Sequence, residues 1–332
     1  MNTLSILGIW HEWLYRTKQS PSRRNYMRAL AARPDVTFHL TGPGFPDWDE
    51  RLTAIQNVDR IMPSCHAVYG YKLAGTERGV IREINQLHQK CVVAEAWNEC
   101  WPGTTAGCRS AMHPGGGTAA EECRKAHVSL VIIHHENDRH RMQSVEGYGA
   151  QLVHIPHCAD PVFAESALPW SERRGVVLTG VLNEQHYPLR QRWRTLIDSG
   201  RIKGVYFKRP GNYTSSVEES DRLVADYARC LGAARVKLGC SSRWRYALQH
   251  QSEAALSGVA HVCDLPDAVP PGYTDMLHAV SPDASDSDLV WAVEYAMENA
   301  ETIGTRAREC AAAGYTTAHY AERLVAAIRE CL

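Results

Sequence analysis

The chain has 332 residues, of which 44% are hydrophobic and 22% are charged, and its formal net charge is −1. This is the composition of a globular protein long enough to bury the cores of two domains. The near-zero net charge excludes a uniformly basic protein that binds nucleic acid or anionic membranes through its overall charge. The apolar run at residues 4–10 (LSILGIW) is too short for a signal-peptide core or a membrane span. We therefore expect a cytoplasmic protein without membrane insertion.

The eleven cysteines are odd in number and widely scattered, and no CxxC pair occurs among them. This pattern fits neither a disulfide framework nor a structural zinc site. We expect most of them to be reduced and buried as small hydrophobic residues.

The first half of the chain alternates between predicted strands and helices. Residues 4–10 form an apolar strand, residues 20–35 have helical spacing, and residues 36–42 alternate like a second strand. A strand–helix–strand order is the building unit of parallel sheets. The alternation continues with strands at 67–73, 91–97, 128–135 and 150–156, helices at 76–90 and 119–127, and a long loop rich in Gly, Thr and Pro at 98–117.

A second alternating set follows. It has predicted strands at 175–180, 203–208, 235–240 and 260–264, helices at 188–200, 217–234 and 245–258, and two terminal helices at 286–313 and 317–332. The pattern predicts an α/β fold of two Rossmann-like domains facing each other across a cleft, with ligands beyond the carboxyl ends of the strands. The predicted divisions are 1–157 for the first domain, 171–318 for the second, and 319–332 for a C-terminal helix packing back toward the first.

Several segments resemble the GT-B glycosyltransferases. Residues 153–163 (VHIPHCADPVF) are similar to the junction of their two domains, and residues 175–193 (GVVLTGVLNEQHYPLRQRW) to the opening of their donor domain. The CgeB-like, or spore-maturation-type, group is resembled by four segments: residues 22–44, YPLR at 187–190, YALQHQSEAALSG at 246–258 and HYAERLV at 319–325. The order and spacing of these segments is a stronger signal than any one of them, and residues 45–150 carry no recognised resemblance.

The resemblance implies a donor site in the second half and an acceptor site in the first. Glu253 matches the acidic residue that holds the donor ribose, and Gly180 matches the turn beside the donor diphosphate. A carboxylate suits ribose because it can accept two hydroxyl protons, and cations suit a diphosphate whose negative charge grows as it leaves. Arg245 is a departure, because many retaining members have a second acidic residue there. The implied donor-binding residues are Gly180, Arg190, Lys208, Arg209, Ser241, Ser242, Arg243, Tyr246 and Glu253.

An inverting enzyme needs a general base, and several side chains near predicted strand ends of the first half could serve. The sequence does not choose among them. A retaining enzyme of this class relies less on such a base, because the leaving phosphate can take the proton. The candidate catalytic residues are His11, Glu12, Asp47, His135 and Glu136, with Asp49, Glu95 and Glu99 as further acidic candidates.

The run at residues 134–140 (HHENDRH) is dense enough in His, Asp and Glu for a zinc or manganese site, but it also reads as a polar loop. We favour the loop, because GT-B enzymes do not generally need a bound metal. The HPGGGT segment at 113–118 lacks the Lys-Ser/Thr of a P-loop, and the G-x-G-x-x-G dinucleotide fingerprint is absent. We expect neither a metal nor a required cofactor.

Aromatic side chains near predicted strand ends of the first half are either core residues or a platform for a sugar or a base. They are Trp10, Trp13, Tyr15, Trp97 and Trp101, and a local basic stretch lies beside them with Arg16, Lys18, Arg23, Arg24 and Arg28. The combination suits an anionic acceptor, including DNA, in which a hydroxymethylated base would have to be flipped out of the duplex. The neutral overall charge argues against DNA.

The expected function is transfer of a sugar from a nucleoside-diphosphate sugar, of the UDP or GDP type, to a hydroxyl acceptor, with retention favoured over inversion. This expectation rests on the resemblance. The alternatives are a nucleotide-sugar epimerase or a phosphorylase on the same fold, and a non-catalytic nucleotide-sugar-binding protein. The acceptor (a hydroxymethylated base in DNA, or otherwise a saccharide or small molecule) and the oligomeric state are left open.

Overall fold

The computed structural model describes residues 3–12, 15, 21–71, 81, 83–97, 119–208 and 216–332. The chain divides into two compact units, one made of Met1–Lys18, Arg23–Pro156 and Tyr320–Leu332, the other of Gln19–Ser22 and His157–His319. Each unit has its own parallel sheet and helices. The predicted fold class, an α/β protein with two Rossmann-like domains, is therefore confirmed.

The first unit is built on a parallel sheet with strand order β2-β1-β3-β4-β5-β6. Strands β3 and β4 are buried along their whole length, as expected of central strands with helices on both faces. The strands are β1 (Leu4–Ile9), β2 (Val36–Thr41), β3 (Ala67–Tyr71), β4 (Val92–Trp97), β5 (Leu130–Ile133) and β6 (Gln151–His154), and the described α-helices are α1 (Pro21–Ala31), α2 (Ala54–Ile61), α3 (Ala119–Lys125) and α4 (Arg139–Met142).

The second unit is built on a parallel sheet with strand order β11-β10-β9-β7-β8. Its strands are β7 (Val176–Thr179), β8 (Gly204–Phe207), β9 (Val236–Leu238), β10 (Ala260–Asp264) and β11 (His278–Val280). The described α-helices from here to the end of the chain are α5 (Val162–Glu165), α6 (Pro188–Asp198), α7 (Val217–Ala233), α8 (Gln249–Ser257), α9 (Asp286–Glu298), α10 (Ala300–Gly314) and α11 (Thr317–Glu330).

The two sheets share one strand order. Counted from its own first strand, the second sheet runs 2-1-3-4-5, and the first five strands of the first sheet run the same way. The order reverses between β1 and β3 in the first unit and between β7 and β9 in the second. Open α/β sheets bind ligands beyond the carboxyl ends of the strands at this switch point.

Several elements differ from their predictions. Helix α2 was not predicted, although Thr53 and Gln56 form the capping box that starts it. Only a 3-10 helix, Ile84–Gln89, is described within the helix predicted at 76–90. The terminal helix predicted at 286–313 is two helices, because the chain leaves helical geometry at Asn299 between α9 and α10. The loop predicted at 98–117 lies outside the described residues.

The last helix, α11, contributes its residues from Tyr320 onward to the first unit. The Tyr320 ring stacks on Tyr26 with 3.7 Å between centroids and 6° between planes, and its hydroxyl lies 2.9 Å from that of Tyr69. Arg329 donates to Asp35 at 2.9 Å. The end of the chain is thus part of the first unit's core. Within the described part of the chain, no helix has both the length and the apolar character of a membrane span.

Candidate functional site

A buried arginine lies against the turn that follows the first strand of the second unit. Gly180, directly after β7, has a φ of 98°, which favours glycine. The Arg190 guanidinium packs so closely that a Cβ on Gly180 would lie 2.8 Å from its central carbon. Arg190 Nη1 donates to the Val181 carbonyl at 2.9 Å, and the guanidinium lies over the Tyr187 ring, 4.1 Å from its centroid. Two residues predicted for the donor site are thus in contact.

Arg190 is only 3% exposed, and among the described residues no carboxylate lies within ion-pair distance of it. Its Nε is buried and has no hydrogen-bond partner within that part of the chain. Burying a cation without an anionic partner is costly. A bound anion at this turn would offset that cost.

A strained loop after β9 forms the neighbouring part of the same sheet edge. Asp264, the last residue of β10, accepts hydrogen bonds from the Ser241 backbone N–H (2.8 Å), from the Ser241 hydroxyl and from Arg245 Nη1 (2.7 Å). Arg245 Nε donates to Asp267 at 3.2 Å. Ser242 and Arg245 have φ values of 69° and 55°, a conformation that persists only where surrounding bonds impose it. Arg245 is therefore a guanidinium held by two aspartates.

A buried basic cluster lies behind this loop. Lys237 on β9 is 1% exposed, and its Nζ lies 2.9 Å from His250 Nδ1 and 3.2 Å from His261 Nε2. Burial lowers the pKa of Lys237 to about 7 and lowers the pKa values of both histidines well below their ordinary value, so the imidazoles are neutral. His250 Nε2 donates to the Cys240 carbonyl at 3.1 Å. The chain of bonds from Lys237 through His250 thus holds the segment that precedes Ser241.

Glu253 lies on α8, one helical turn after His250, and is 3% exposed. A carboxylate so buried is not the solvated surface charge that its mid-helix position would allow. Its negative charge raises the pKa of Lys237, which partly opposes the effect of burial there. Its contact with a ribose stays a prediction.

The other donor-site candidates are placed as follows. Lys208, after β8, is exposed, and Arg243 is exposed with its guanidinium 5.3 Å from the centroid of the Trp244 ring. Tyr246 is 1% exposed and its backbone N–H donates to the Ser241 carbonyl at 2.7 Å, so it closes the loop from the interior. Arg209 lies outside the described residues.

The catalytic candidates near β1 and β2 lie in the first unit. His11 and Glu12 follow β1 and are partly exposed. Asp47 accepts a hydrogen bond from the Thr41 hydroxyl at 2.8 Å and lies 2.5 Å from His39 Nε2. Burial alone would raise the pKa of Asp47, but the bonds from His39 and Thr41 lower it. A carboxylate with a lowered pKa is a weaker base, so the structure favours Asp47 less than the other two.

His135 and Glu136 follow β5 at the same edge of the sheet. His135 is 1% exposed, and Glu136 is paired with Arg139 at 3.2 Å and with His154 at 3.3 Å. Strands β1 and β5 are three strand spacings apart, which corresponds to about 14 Å. The structure therefore does not bring His135 and Glu136 together with His11 as one acid–base pair.

Two of the further acidic candidates, Asp49 and Glu95, are not free side chains at the sheet edge. Asp49 is paired with Arg51 at 2.7 Å, and the hydrogen bonds from Arg51 keep the pKa of Asp49 below its usual range. Glu95 is fully buried within β4. Glu99 lies outside the described residues.

Most of the aromatic and basic candidates that the structure describes in the first unit are interior residues. Trp10 and Trp97 are at most 1% exposed, which favours the core interpretation over an open sugar platform. Arg23 and Arg24 are 7% and 0% exposed, so they do not form an exposed basic surface. Arg28 is exposed and donates to Asn25. Trp13, Trp101, Arg16 and Lys18 lie outside the described residues, and Tyr15 packs edge-on against Trp10.

The HHENDRH segment is held by its own ion pairs and by the core. His134 Nδ1 donates to the Ile155 carbonyl at 2.9 Å, and burial lowers the pKa of His134 to about 3, so its ring is neutral. Asp138 is paired with Arg141 at 2.8 Å. Over the described residues, no group of three or more His, Cys, Asp or Glu side chains is placed to hold a metal ion.

Solved structures share this two-sheet architecture. A glycosyltransferase from Rickettsia africae has a TM-score of 0.59 at 9% identity, over 100% of this chain and 99% of that chain. Sucrose-phosphate synthase from Thermosynechococcus elongatus has a TM-score of 0.59 at 13% identity, over 99% of each chain. Anabaena HepE in complex with UDP has a TM-score of 0.60 at 12% identity, over 98% of this chain and 100% of that chain. The chain has the GT-B fold.

At these identities the likeness establishes the GT-B fold and leaves the chemistry to be argued from the site. No family model matches the chain, and no curated protein matches it in sequence. The resemblance to the CgeB-like group within the GT-B fold therefore stays a prediction.

Two residues that organise the candidate site were not predicted from the sequence. Asp264 ends the strand AHVCD, and a carboxylate at the carboxyl end of a predicted strand is a signal that could have marked it. Lys237 lies in the short strand RVKLGC, where a lysine would ordinarily be assigned to a solvated face. Its burial follows only from the packing of α8 and β10 around it.

The buried lysine predicts how stability changes with pH. Because the pKa of Lys237 is about 7 in the folded chain and near 10.5 when unfolded, the unfolded state binds the extra proton between these values. The free energy of unfolding should therefore rise as the pH is raised from 7 to 10, by up to about 4 kcal/mol from this group. In Lys237→Met this part of the rise should disappear, as measured by urea denaturation at several pH values.

The exposed Lys203→Met variant is the matched control and should keep the wild-type pH dependence. If the unfolding free energy of Lys237→Met changes with pH as it does in the wild type, the lysine has its ordinary pKa in the folded chain.

Proposed function

We propose that this chain is a glycosyltransferase that moves a sugar from a nucleoside-diphosphate sugar, of the UDP or GDP type, to a hydroxyl acceptor. The observation that carries the proposal is the Arg190 guanidinium, which is buried beside Gly180 without a carboxylate partner among the described residues. A diphosphate at this turn would supply the missing negative charge, and its oxygens suit the fork geometry of a guanidinium. UDP bound to Anabaena HepE, which shares the fold, supports the choice of ligand.

In this proposal the second unit binds the donor and the first unit binds the acceptor. The bond between the anomeric carbon and the diphosphate oxygen breaks while the acceptor oxygen forms its bond to that carbon. Negative charge grows on the departing diphosphate, and Arg190 stabilises it there. The hydrogen bonds that Ser241 donates to Asp264 hold the Ser241–Ser242 segment in place before the ligand arrives, which limits the cost of reorganisation.

Retention of configuration is the favoured outcome, and the proton of the acceptor hydroxyl then passes to the leaving phosphate. The lowered pKa of Asp47 supports this choice, since it makes that carboxylate a weaker base. The Glu136 carboxylate is already occupied by its ion pair with Arg139. For inversion, His11 or Glu12 would supply the base. The resemblance to the CgeB-like group is part of the same proposal.

Product analysis tests the reaction class. The full chain is incubated with UDP- and GDP-sugars and a panel of hydroxyl acceptors that includes saccharides, sugar phosphates, and hydroxymethylated and plain DNA. Nucleotide release should depend on the acceptor and match the glycosylated product formed. An isomerised sugar without acceptor would indicate an epimerase, phosphate-dependent cleavage a phosphorylase, and tight binding without turnover a binding protein; each would overturn the proposal.

Arg190→Gln should weaken UDP binding roughly 10- to 100-fold, because a charge-assisted hydrogen bond in a buried site is lost. Isothermal titration calorimetry measures this effect. Arg229→Gln, which changes an exposed arginine of the same unit, should bind UDP like the wild type. If Arg190→Gln binds UDP with wild-type affinity and has an unchanged melting temperature, the diphosphate does not bind at this turn.

Glu253→Gln tests the ribose contact. If the carboxylate accepts the ribose hydroxyls, then the variant and 2′,3′-dideoxy-UDP each lose roughly 10-fold in affinity, and the two losses together are smaller than their product. A double-mutant cycle by calorimetry measures this coupling. If the two losses of affinity simply multiply, Glu253 does not contact the ribose. Its burial next to Lys237 would then have a structural role.

A further inference from the structure

The second unit has a cavity of about 340 Å³ at the end of its sheet opposite to the candidate donor site. Arg173 and Gly258 line it and precede β7 and β10, whereas Gly180 and Asp264 lie at the carboxyl ends of these two strands. The cavity is therefore separate from the donor site, and its volume is at the lower end of the range for small-molecule pockets. Its walls include Trp170, Arg173, Gly258, Thr305, Arg308 and Glu309.

A close crossing of two helices brings two arginines together at this cavity. At Gly304, α10 passes the carboxyl end of α8 so closely that a Cβ there would overlap the Gly258 carbonyl oxygen. Arg308 lies one helical turn after Gly304. A Cβ on Gly258 would lie 3.5 Å from Arg308 Cδ and 3.6 Å from Arg173 Nη2, so the two arginine side chains approach the same point.

Arg173 is buried with carbonyl partners alone. It is 2% exposed, and its guanidinium lies 4.2 Å from the centroid of the Trp170 ring. It donates to the carbonyls of Leu168 (2.8 Å), Ser257 (3.1 Å) and Gly258 (2.8 Å). The last two carbonyls end α8, and a helix carboxyl terminus carries only about half an elementary negative charge. These partners therefore neutralise the guanidinium charge in part.

Arg308 adds a second positive charge beside the first. It is exposed and donates from Nη2 to the Ala164 carbonyl at 3.3 Å. Burial, and then the positive charge of Arg308, lower the pKa of Arg173 to about 10, so the two charges repel each other. Glu309 also lines the cavity, but within the described part of the chain it forms no ion pair with either arginine.

The lining groups suit a phosphate ester. A phosphoryl group brings close to two negative charges and three acceptor oxygens, which match two guanidinium groups, whereas a carboxylate would neutralise one of them. The Thr305 hydroxyl can donate to a further oxygen, and the Glu309 carboxylate can accept from a hydroxyl group of the ligand. The volume leaves room for more than the phosphoryl group itself.

We propose that this cavity binds a small phosphorylated polyol, with its phosphoryl group on Arg173 and Arg308 and a hydroxyl group on Glu309. The site uses none of the residues of the donor site, so it is independent of the proposed function.

Calorimetric titration of the full chain tests the site, with UDP at saturation so that the Arg190 site is filled. The probes are ribose 5-phosphate and inorganic phosphate, and one molecule of either should bind per chain, the ester more tightly. Arg308→Gln should bind both at least roughly 10-fold more weakly, because charge-assisted hydrogen bonds are lost, while its melting temperature and UDP affinity stay at the wild-type values. Arg306→Gln, at an exposed position of the same helix outside the cavity, is the matched control and should bind both probes like the wild type.

Glu309→Gln separates the two ends of the ligand. The variant loses a negative charge near the phosphoryl group, so inorganic phosphate should bind at least as tightly as in the wild type. The hydroxyl groups of ribose 5-phosphate lose a charged acceptor, so the preference for the ester should shrink. Equal affinity for the two probes in the wild type, unchanged by Glu309→Gln, would indicate a site for phosphate alone and overturn the assignment to a polyol.

The failure of this proposal can be told apart from that of the proposed function. If neither probe binds, or if Arg308→Gln keeps wild-type affinity for both, the cavity is not a phosphoryl site, and sugar transfer is unaffected. If the chain binds no nucleotide, the proposed function fails. The same titrations in Arg190→Gln, without UDP, then test the cavity by itself.

Discussion

The second unit is organised around a guanidinium that has left water without a counter-charge from the described residues. Arg190 replaces its solvent with one carbonyl, one aromatic face and the bare backbone of Gly180. None of these neutralises a positive charge, and a side chain at position 180 would displace the guanidinium. The unit therefore has an uncompensated positive charge at the edge of the sheet where α/β folds bind ligands. The inference of an anionic ligand follows from that charge.

The surrounding charged groups are paired with residues other than Arg190, so they do not neutralise its positive charge. Asp264 satisfies Ser241 and Arg245, so its negative charge is used within the loop. Lys237 is held by two neutral histidines, and the positive charge of Arg190 is one of the influences that lower its pKa. The carboxylates and cations behind the site thus fix backbone positions. Arg190 at the turn is left without such a partner among the described residues, which is why an anionic ligand is proposed there.

The fold and the chemistry rest on different kinds of evidence. The GT-B fold is shown by structural likeness at 9–13% identity over 98–100% of the chain. Such likeness does not extend to substrate or stereochemistry, because one fold hosts many activities. The proposal of sugar transfer depends instead on named side chains.

The alternation of apolar runs and helical spacing by itself determined the two β/α units, most strand positions, and the Gly180 turn, because these follow from local periodicity and glycine's freedom of φ. Periodicity did not reveal α2, the short edge strand β11 or the break at Asn299, where capping and packing decide the ends of elements. Burial was decided only by the tertiary structure. Glu253 and Arg23 look like solvated charges in a linear chain, and Lys237 looks like the exposed residue of a strand. Each becomes an interior group only when helices and strands distant in sequence close around it, and the free energy of an interior charge depends on those neighbours.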